Sequence, residues 1–599
     1  MLRWNKQGSI WLALVAILVN FISSHTCSAI QCNVFLAEST IPNAGLGIFS
    51  GVELNPGDPV GNGDVCIPIF NVEKHHEEPS DAINDYVWAG EVMGMKLEAA
   101  PDLIEANCLG LDSALNCNLA LINVARAKPK YDDAGLHRSH DPAAGSITPY
   151  HNGTTRATIK VPIGGELFKH YGDEWFKGRP DLFGESFPLT EDFASAEEII
   201  NDAFSFGEET ARSILEEVIF PMQRIWGSRV MNAIPKTIDE ASIAFREGIE
   251  MVYQPNATRS INWLQEHGKC VDHIIPKQST IEGAGRGAFA KRGLPKGTII
   301  TGSPLHHIPM KDNFIPIFRT LRTDANSDEA PRREIAGQQL LLNYCFGHSE
   351  STLLLCPYGA GIGYINHNQT RTNVKVVWPD DGLMSHDETW LRKQPEEMIE
   401  FSGAHLALDY VATRDIAAGE ELFLDYGDDW EEAWNGHATN WKSERIWSSS
   451  YASAKRWNEK VDGIPLRTAE ETSTDPYPAN LHVRCHSELD EDDWGSFEEW
   501  PASEYGYPCE IKERKKDTKG QDIYSVRLVT EKYDRWDTEF ESPQVLDIDG
   551  VPRSAIRFFD APFTTDLHLR GAFRLPIGIP EAIMPAEWKN VPFSVYSDP

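Results

Sequence analysis

A ten-residue pattern that returns 240 positions later constrains this chain more than its composition does. Thr40-Ile41-Pro42-Asn43-Ala44-Gly45-Leu46-Gly47-Ile48-Phe49 lines up with Thr280-Ile281-Glu282-Gly283-Ala284-Gly285-Arg286-Gly287-Ala288-Phe289. The match continues through Leu54 and Gly57 to Leu294 and Gly297. A second block follows at similar spacing, Glu166-Leu167-Phe168-Lys169-His170-Tyr171-Gly172-Asp173-Glu174-Trp175 against Glu421-Leu422-Phe423-Leu424-Asp425-Tyr426-Gly427-Asp428-Asp429-Trp430. Two blocks repeated in the same order point to two copies of one folding unit. Each copy reads as short strands split by Gly, Pro and Asp turns, the pattern of a β-rich unit.

The rest of the chain arranges itself around these copies. Ile199, Ala203, Ile214, Val218 and Trp226 fall at helical spacing, so residues 195–265 read as a helical connector. Trp430 to Lys460 reads as helix, punctuated by Trp434, Trp441 and Trp447. Residues 464–480, rich in Thr, Pro and Glu, read as a linker. Beyond them Leu481–Cys485, Cys509–Glu513 and Tyr524–Val529 alternate like strands, with a hairpin turn at Lys515–Gly520. An irregular tail is expected after that, carrying Phe558-Phe559, Pro562-Phe563 and Pro576–Pro580. The expected boundaries are 1–29 signal peptide, 30–185 first copy, 186–264 connector, 265–445 second copy, 446–480 helix and linker, and 481–599 a small β-rich module.

Composition narrows the function classes. The chain has 599 residues, 24% of them charged, and a formal net charge of −35. Phosphate backbones call for a basic footprint, so direct nucleic-acid binding is not expected. An acidic surface attracts basic partners, such as lysine-rich or histone-like protein tails, and also serves plain solubility. At the N-terminus Arg3 and Lys6 precede an apolar run from Ile10 to Ile22, and Cys27 and Ala29 stand at the −3 and −1 positions of a signal-peptidase site. The run is shorter than the ~20 residues of a spanning helix, so cleavage rather than anchoring is expected, with entry to the secretory pathway and an ER, secreted or plastid-routed destination. Nine cysteines follow Ala29, none in a CxxC pair, so zinc has little support. An oxidising compartment permits disulfides, and the odd count leaves at least one thiol free. Neither G-x-S-x-G nor HExxH occurs, which leaves a hydrolase without a nucleophile motif.

Three segments of the second copy carry chemistry. They are Gly285-Arg286-Gly287, then Tyr364-Ile365-Asn366-His367-Asn368 with Asn373-Val374 downstream, then Gly419-Glu420-Glu421-Leu422-Phe423-Leu424-Asp425-Tyr426-Gly427. Each alone is weak, since paired glycines mark turns generally. In this order they resemble the SET domain family of protein-lysine methyltransferases, over about 265–445 and more loosely over 32–178; the tandem layout is similar to that of algal SET-containing chains. The resemblance implies a mainly β fold with helical insertions, in tandem β-clip domains with a pseudoknot. It implies S-adenosylmethionine as cofactor, held by Gly285, Arg286, Gly287, Asn366 and His367. It also implies a narrow channel in which Tyr426 and Tyr344, of Asn343-Tyr344-Cys345-Phe346, orient a lysine ε-amine. Such a channel would depress the amine's pKa by desolvation and hold it for in-line attack. No metal is implied.

The second copy departs from the family pattern at Asn368, which replaces the usual Ser or Cys and opens an N-glycosylation sequon at the cofactor site. Asn152 and Asn256 open sequons better suited to glycans. The Cys-rich flanks of many SET domains are absent, so the channel needs another closure, for which the 430–460 helix is the candidate. The first copy keeps Gly45-Leu46-Gly47, Tyr86 and Tyr171 but reads Ile122-Asn123-Val124 against Ile365-Asn366-His367, and His170 against Asp425. It is therefore expected to be inactive. The alternative for the whole chain is a non-catalytic tandem scaffold that binds basic peptides.

Overall fold

The structure, a computed structural model, describes most of residues 32–589; segments 71–82, 90–103, 127–129, 132–135, 137–140, 322–331, 442–451, 495–506, 531–543 and 561–570, and short breaks near 84, 226, 384, 401, 487 and 491, lie outside the described residues. The expected signal peptide falls outside them too. The chain is a mixed α/β molecule built from many short strands in small, curled sheets. Among the described residues no helix is long and apolar enough to cross a membrane.

Each Gly-rich segment forms an antiparallel hairpin. Val34–Glu38 pairs with Leu46–Ser50, and Ile274–Gln278 with Arg286–Ala290. The same side-chain clamp closes both turns. Ser39 and Thr40 hydroxyls donate to the Glu166 carboxylate at 2.6 and 2.5 Å, and Ser279 and Thr280 hydroxyls to Glu421 at 2.7 and 2.5 Å. Downstream, Asn123 exchanges hydrogen bonds with Glu166 O and Phe168 N as Asn373 does with Glu421 O and Phe423 N. Asn123 thus stands where Asn373 stands, and the alignment of Ile122-Asn123-Val124 with Ile365-Asn366-His367 is corrected. Asn116, which donates to Ser39 Oγ and Leu46 O, is the counterpart of Asn366, which donates to Ser279 Oγ and Arg286 O. The residue in the His367 position is therefore Cys117, not Val124.

Two six-stranded sheets follow the hairpins. The first contains Pro59–Phe70 between Ile104–Cys108 and Tyr150–Ala157; the second contains Ile299–Ile308 between Leu354–Pro357 and Leu406–Ala412. They do not bury separate cores. Val65, Ile67, Ile69 and Tyr150 of the first pack in one apolar cluster with Leu305, Leu341 and Tyr410 of the second, together with Ile577, Ile579 and Trp588 from the far C-terminus. Removing that much apolar surface from water is the main force holding the halves together. Gln339 bridges them, donating to Phe70 O and accepting from Phe70 N.

Residues 190–267 are helical, as expected, with buried positions at Ala196, Ile200, Ala203, Phe204 and Leu215. The stripe is turned from the expected one: Val218 is exposed, and Ile199 is only partly buried. The helix at 428 stops at Asn440, with a second helix at Ala454–Lys460. The expected linker holds a short helix, Ala469–Thr474, because Thr468 and Glu471 form a capping box. The C-terminal module is a five-stranded sheet with Leu481–Cys485 between Tyr507–Lys516 and Ile556–Asp560. Phe558 and Phe559 therefore belong to its last strand rather than to an irregular tail, and Ile577–Gly578 pairs in parallel with Phe346–Gly347.

Eight cysteines form four disulfides, Cys32–Cys270, Cys66–Cys108, Cys345–Cys356 and Cys485–Cys509; Cys117 is free. Cys32, Cys270 and Asp272 lie together, but the two sulfurs are bonded to each other.

Candidate active site

One cavity of about 230 Å³ gathers five of the seven residues singled out in the sequence: Arg286, Tyr344, Asn366, His367 and Tyr426. They arrive from four segments. Arg286 opens a hairpin strand; Tyr344 ends the short helical turn Leu340–Tyr344; Asn366–His367 runs parallel to Phe423–Leu424, two residues before Tyr426. Parallel pairing of strands so far apart in the chain is what brings the Asn-His and Asp-Tyr motifs together.

Gly285 and Gly287 are the exceptions. Neither lines the cavity; Gly283, Ala284 and Arg286 do. Gly285 sits at φ +67°, where a side chain would be strained. A Cβ at Gly287 would lie 2.1 Å from Glu421 Oε1. That glycine makes room for a buried carboxylate. Glu421 in turn holds the turn 279–286 that faces the cavity. Gly47 stands against Glu166 in the same way, at 2.2 Å.

The side chain of Asn366 is committed to Arg286 O at 2.9 Å, so it fixes the turn. His367 Nδ1 accepts from Tyr426 N–H at 2.9 Å, which assigns the ring proton to Nε2. Nε2 is buried with no partner. Burial pulls the His367 pKa down, against the opposing pull of Asp425 and Glu431, so the ring is neutral at neutral pH. Tyr426 donates to Ile365 O at 2.5 Å. Tyr344 accepts from Thr148 N–H at 3.0 Å, and burial pushes its hydroxyl up to about 12. The Tyr426 hydroxyl is raised as well, by burial and by Tyr344 beside it. Two protonated phenols thus share one pocket.

The remaining wall was not visible as motifs. Trp430 and Trp434 of the helix Asp428–Asn440 cover one side with Phe573, ring centroids 5.4 and 5.2 Å from it. Of the candidate 430–460 closure, Trp430 and Trp434 line the cavity, and residues 442–451 lie outside the described residues. The C-terminal segment adds Ile577 to the wall and is held there by the Ile577, Gly578 and Ile579 N–H groups, which donate to Cys345 O, Tyr426 O and Gly347 O. Asn368 Oδ1 accepts from Arg371 N–H and Thr370 Oγ1, which fixes the orientation of the side-chain amide. Asn256 is exposed.

Residues 285–427 match the family model described as the SET domain, and the chain carries a SET domain over that span. Among solved structures it is similar to a candidate histone methyltransferase of Plasmodium falciparum (21% identity, 26% of this chain and 96% of that one, TM-score 0.16). It is also similar to the polycomb repressive complex 2 of Chaetomium thermophilum (18% identity, 32% of this chain and 19% of that one, TM-score 0.16). A third is an autoinhibited ctPRC2 bound to S-adenosylmethionine (18% identity, 30% of this chain and 17% of that one, TM-score 0.16). The chain thus spans less than a fifth of the polycomb chains it matches. No curated protein matches it.

Proposed function

We propose that this chain is an S-adenosylmethionine-dependent protein-lysine N-methyltransferase, that its SET domain is the catalytic unit, and that the first copy, loosely 32–178, is a degenerate form of the same unit. The observation that carries the reading is the pair of partly buried phenols, Tyr344 and Tyr426, on the same cavity as Arg286, Asn366 and His367.

The residues present fit the cofactor. The buried Nε2–H of His367 lacks an acceptor, the 281–286 turn lies against the cavity, and Trp430 and Phe573 offer ring faces to a cation or a flat base. When bound, S-adenosylmethionine supplies an electrophilic methyl group on a sulfonium. The chain's own part is positional. A lysine amine entering this apolar pocket loses hydration, which favours its neutral, nucleophilic form. The Tyr344 and Tyr426 oxygens can accept its N–H bonds and leave the nitrogen lone pair free for attack.

The degenerate copy is supported by its matching clamps and by what fills its pocket. Lys169 stands where Leu424 lines the cavity; its Nζ donates to Asp112 at 2.7 Å and lies 4.0 Å from the centre of the Trp88 ring. Cys117 replaces His367 and packs with Phe176, Phe183, Phe187 and Leu189. Among the described residues these side chains occupy the positions that correspond to the lining of the SET cavity. A basic protein substrate agrees with the net charge of −35, and entry to the secretory pathway agrees with four disulfides.

Incubating the full chain with methyl-labelled cofactor and lysine-rich proteins tests the reading. Wild type should label protein lysines, and Tyr426→Phe should lower kcat by about 10²-fold, the usual cost of a lost group that positions a reacting atom. No transfer by wild type, or equal transfer by the variant, overturns it. Calorimetry separates the alternative: a scaffold for basic peptides would bind lysine-rich peptide but no cofactor.

A further inference from the structure

The N-terminal unit touches the methyl-transfer cavity directly. Val65, Leu109, Ser146, Ile147 and Thr148 form part of its wall. One hydrogen bond links that wall to the site's chemistry, from Thr148 N–H to the Tyr344 hydroxyl at 3.0 Å. The loop carrying it is pinned from three sides. Thr148 Oγ1 donates to Cys66 O at 2.5 Å, inside the N-terminal sheet. Asn343, next to Tyr344, donates to Ser146 O at 3.0 Å and to Phe573 O at 2.9 Å. Arg574 of the C-terminal segment donates to Gly145 O at 2.7 Å. Three distant parts of the chain therefore converge on the setting of one phenol.

A phenol oxygen carries one donor hydrogen and two lone pairs. A main-chain N–H bonded to one lone pair fixes where the other points, and in an apolar pocket no water substitutes for it. We propose that Thr148 is a positioning residue for methyl transfer, acting through the Tyr344 hydroxyl, so that the N-terminal unit is part of the active site rather than an appended domain. The proposal rests on the methyltransferase reading of the SET site. It assigns the N-terminal unit a role that its own packed pocket cannot give it.

A double-mutant cycle in the full chain tests it. Thr148→Val keeps the side-chain shape but loses the anchor on Cys66 O, freeing the N–H to drift. Acting through Tyr344, it lowers kcat about 5- to 10-fold while the KM for cofactor stays within about twofold; in a Tyr344→Phe background it lowers kcat further by less than about twofold. Thr148→Ser, which retains hydroxyl and N–H, recovers activity. Arg574→Gln loosens the same loop from the opposite side and gives the same pattern if Thr148→Val does not fold. Equal loss in both backgrounds, or no loss, overturns the proposal and leaves the methyltransferase reading standing. No transfer by wild type overturns both.

Discussion

At the scale of single residues, the clearest lesson concerns the glycines of the GxG motif. The sequence reading assigned Gly285 and Gly287 to the cofactor. The structure assigns one to a left-handed turn and the other to Glu421, the buried carboxylate that clamps the turn. Gly47 has the same relation to Glu166. Substituting alanine places a Cβ against a carboxylate oxygen in both cases, an overpacking that costs about 1–3 kcal/mol. Gly287→Ala and Gly47→Ala should therefore lower thermal stability by similar amounts. Only Gly287→Ala should also weaken cofactor affinity, because only its turn faces the cavity. Calorimetry on both variants, with and without cofactor, checks this; equal affinity losses would refute the division of roles.

Among the elements, the C-terminal segment matters most for the site. As sequence, Pro576–Pro580 read as irregular tail, since two strand residues among prolines carry no periodicity. In the fold, Ile577–Gly578 becomes a parallel strand beside Phe346–Gly347, and Gly578 lies so close to Tyr426 that a Cβ would stand 2.7 Å from its carbonyl oxygen. Gly578→Val should push the segment off Tyr426 and open the cavity. Methyl transfer should fall by about tenfold or more, as misplacements near 1 Å do, while the C-terminal module stays folded by circular dichroism. Unchanged transfer would show that the segment is not a wall of the site.

At the scale of the whole molecule, contacts cross between the N-terminal unit and the SET domain. His306 of the second packs against Tyr86 of the first and Tyr358, ring centroids 4.1 and 4.2 Å away, and both its ring nitrogens are buried without partners. Burial, with a smaller contribution from His307, brings its pKa down to about 3. The sign follows from proton uptake. Below the unfolded value of 6.5 the unfolded chain binds a proton that the native ring refuses until about pH 3, so this contact loses stability as pH falls through that window. Burial raises Asp64 to about 7, which acts in the opposite direction between its unfolded value of 3.8 and 7. The His306 contribution is best isolated by comparison with His306→Phe. The variant's melting temperature relative to wild type should rise steadily from pH 6.5 to 4.5; a constant difference would show that His306 does not titrate as its burial requires.

Much was readable before any fold was known. The repeated blocks marked the two turn segments that fold alike; the helical spacing marked residues 195–265, with most of its buried stripe displaced by about one residue; and the ordered motifs selected Arg286, Tyr344, Asn366, His367 and Tyr426, which share a cavity. Local pattern sufficed there because turns, caps and amphipathic faces are set by neighbours within a few residues. Tertiary structure alone decided that the two sheets share one core and that Thr148 and Phe573 line the site. None of these has a sequence signature, because a main-chain N–H is the same at every non-proline residue and what it bonds depends only on which distant segment packing brings to it.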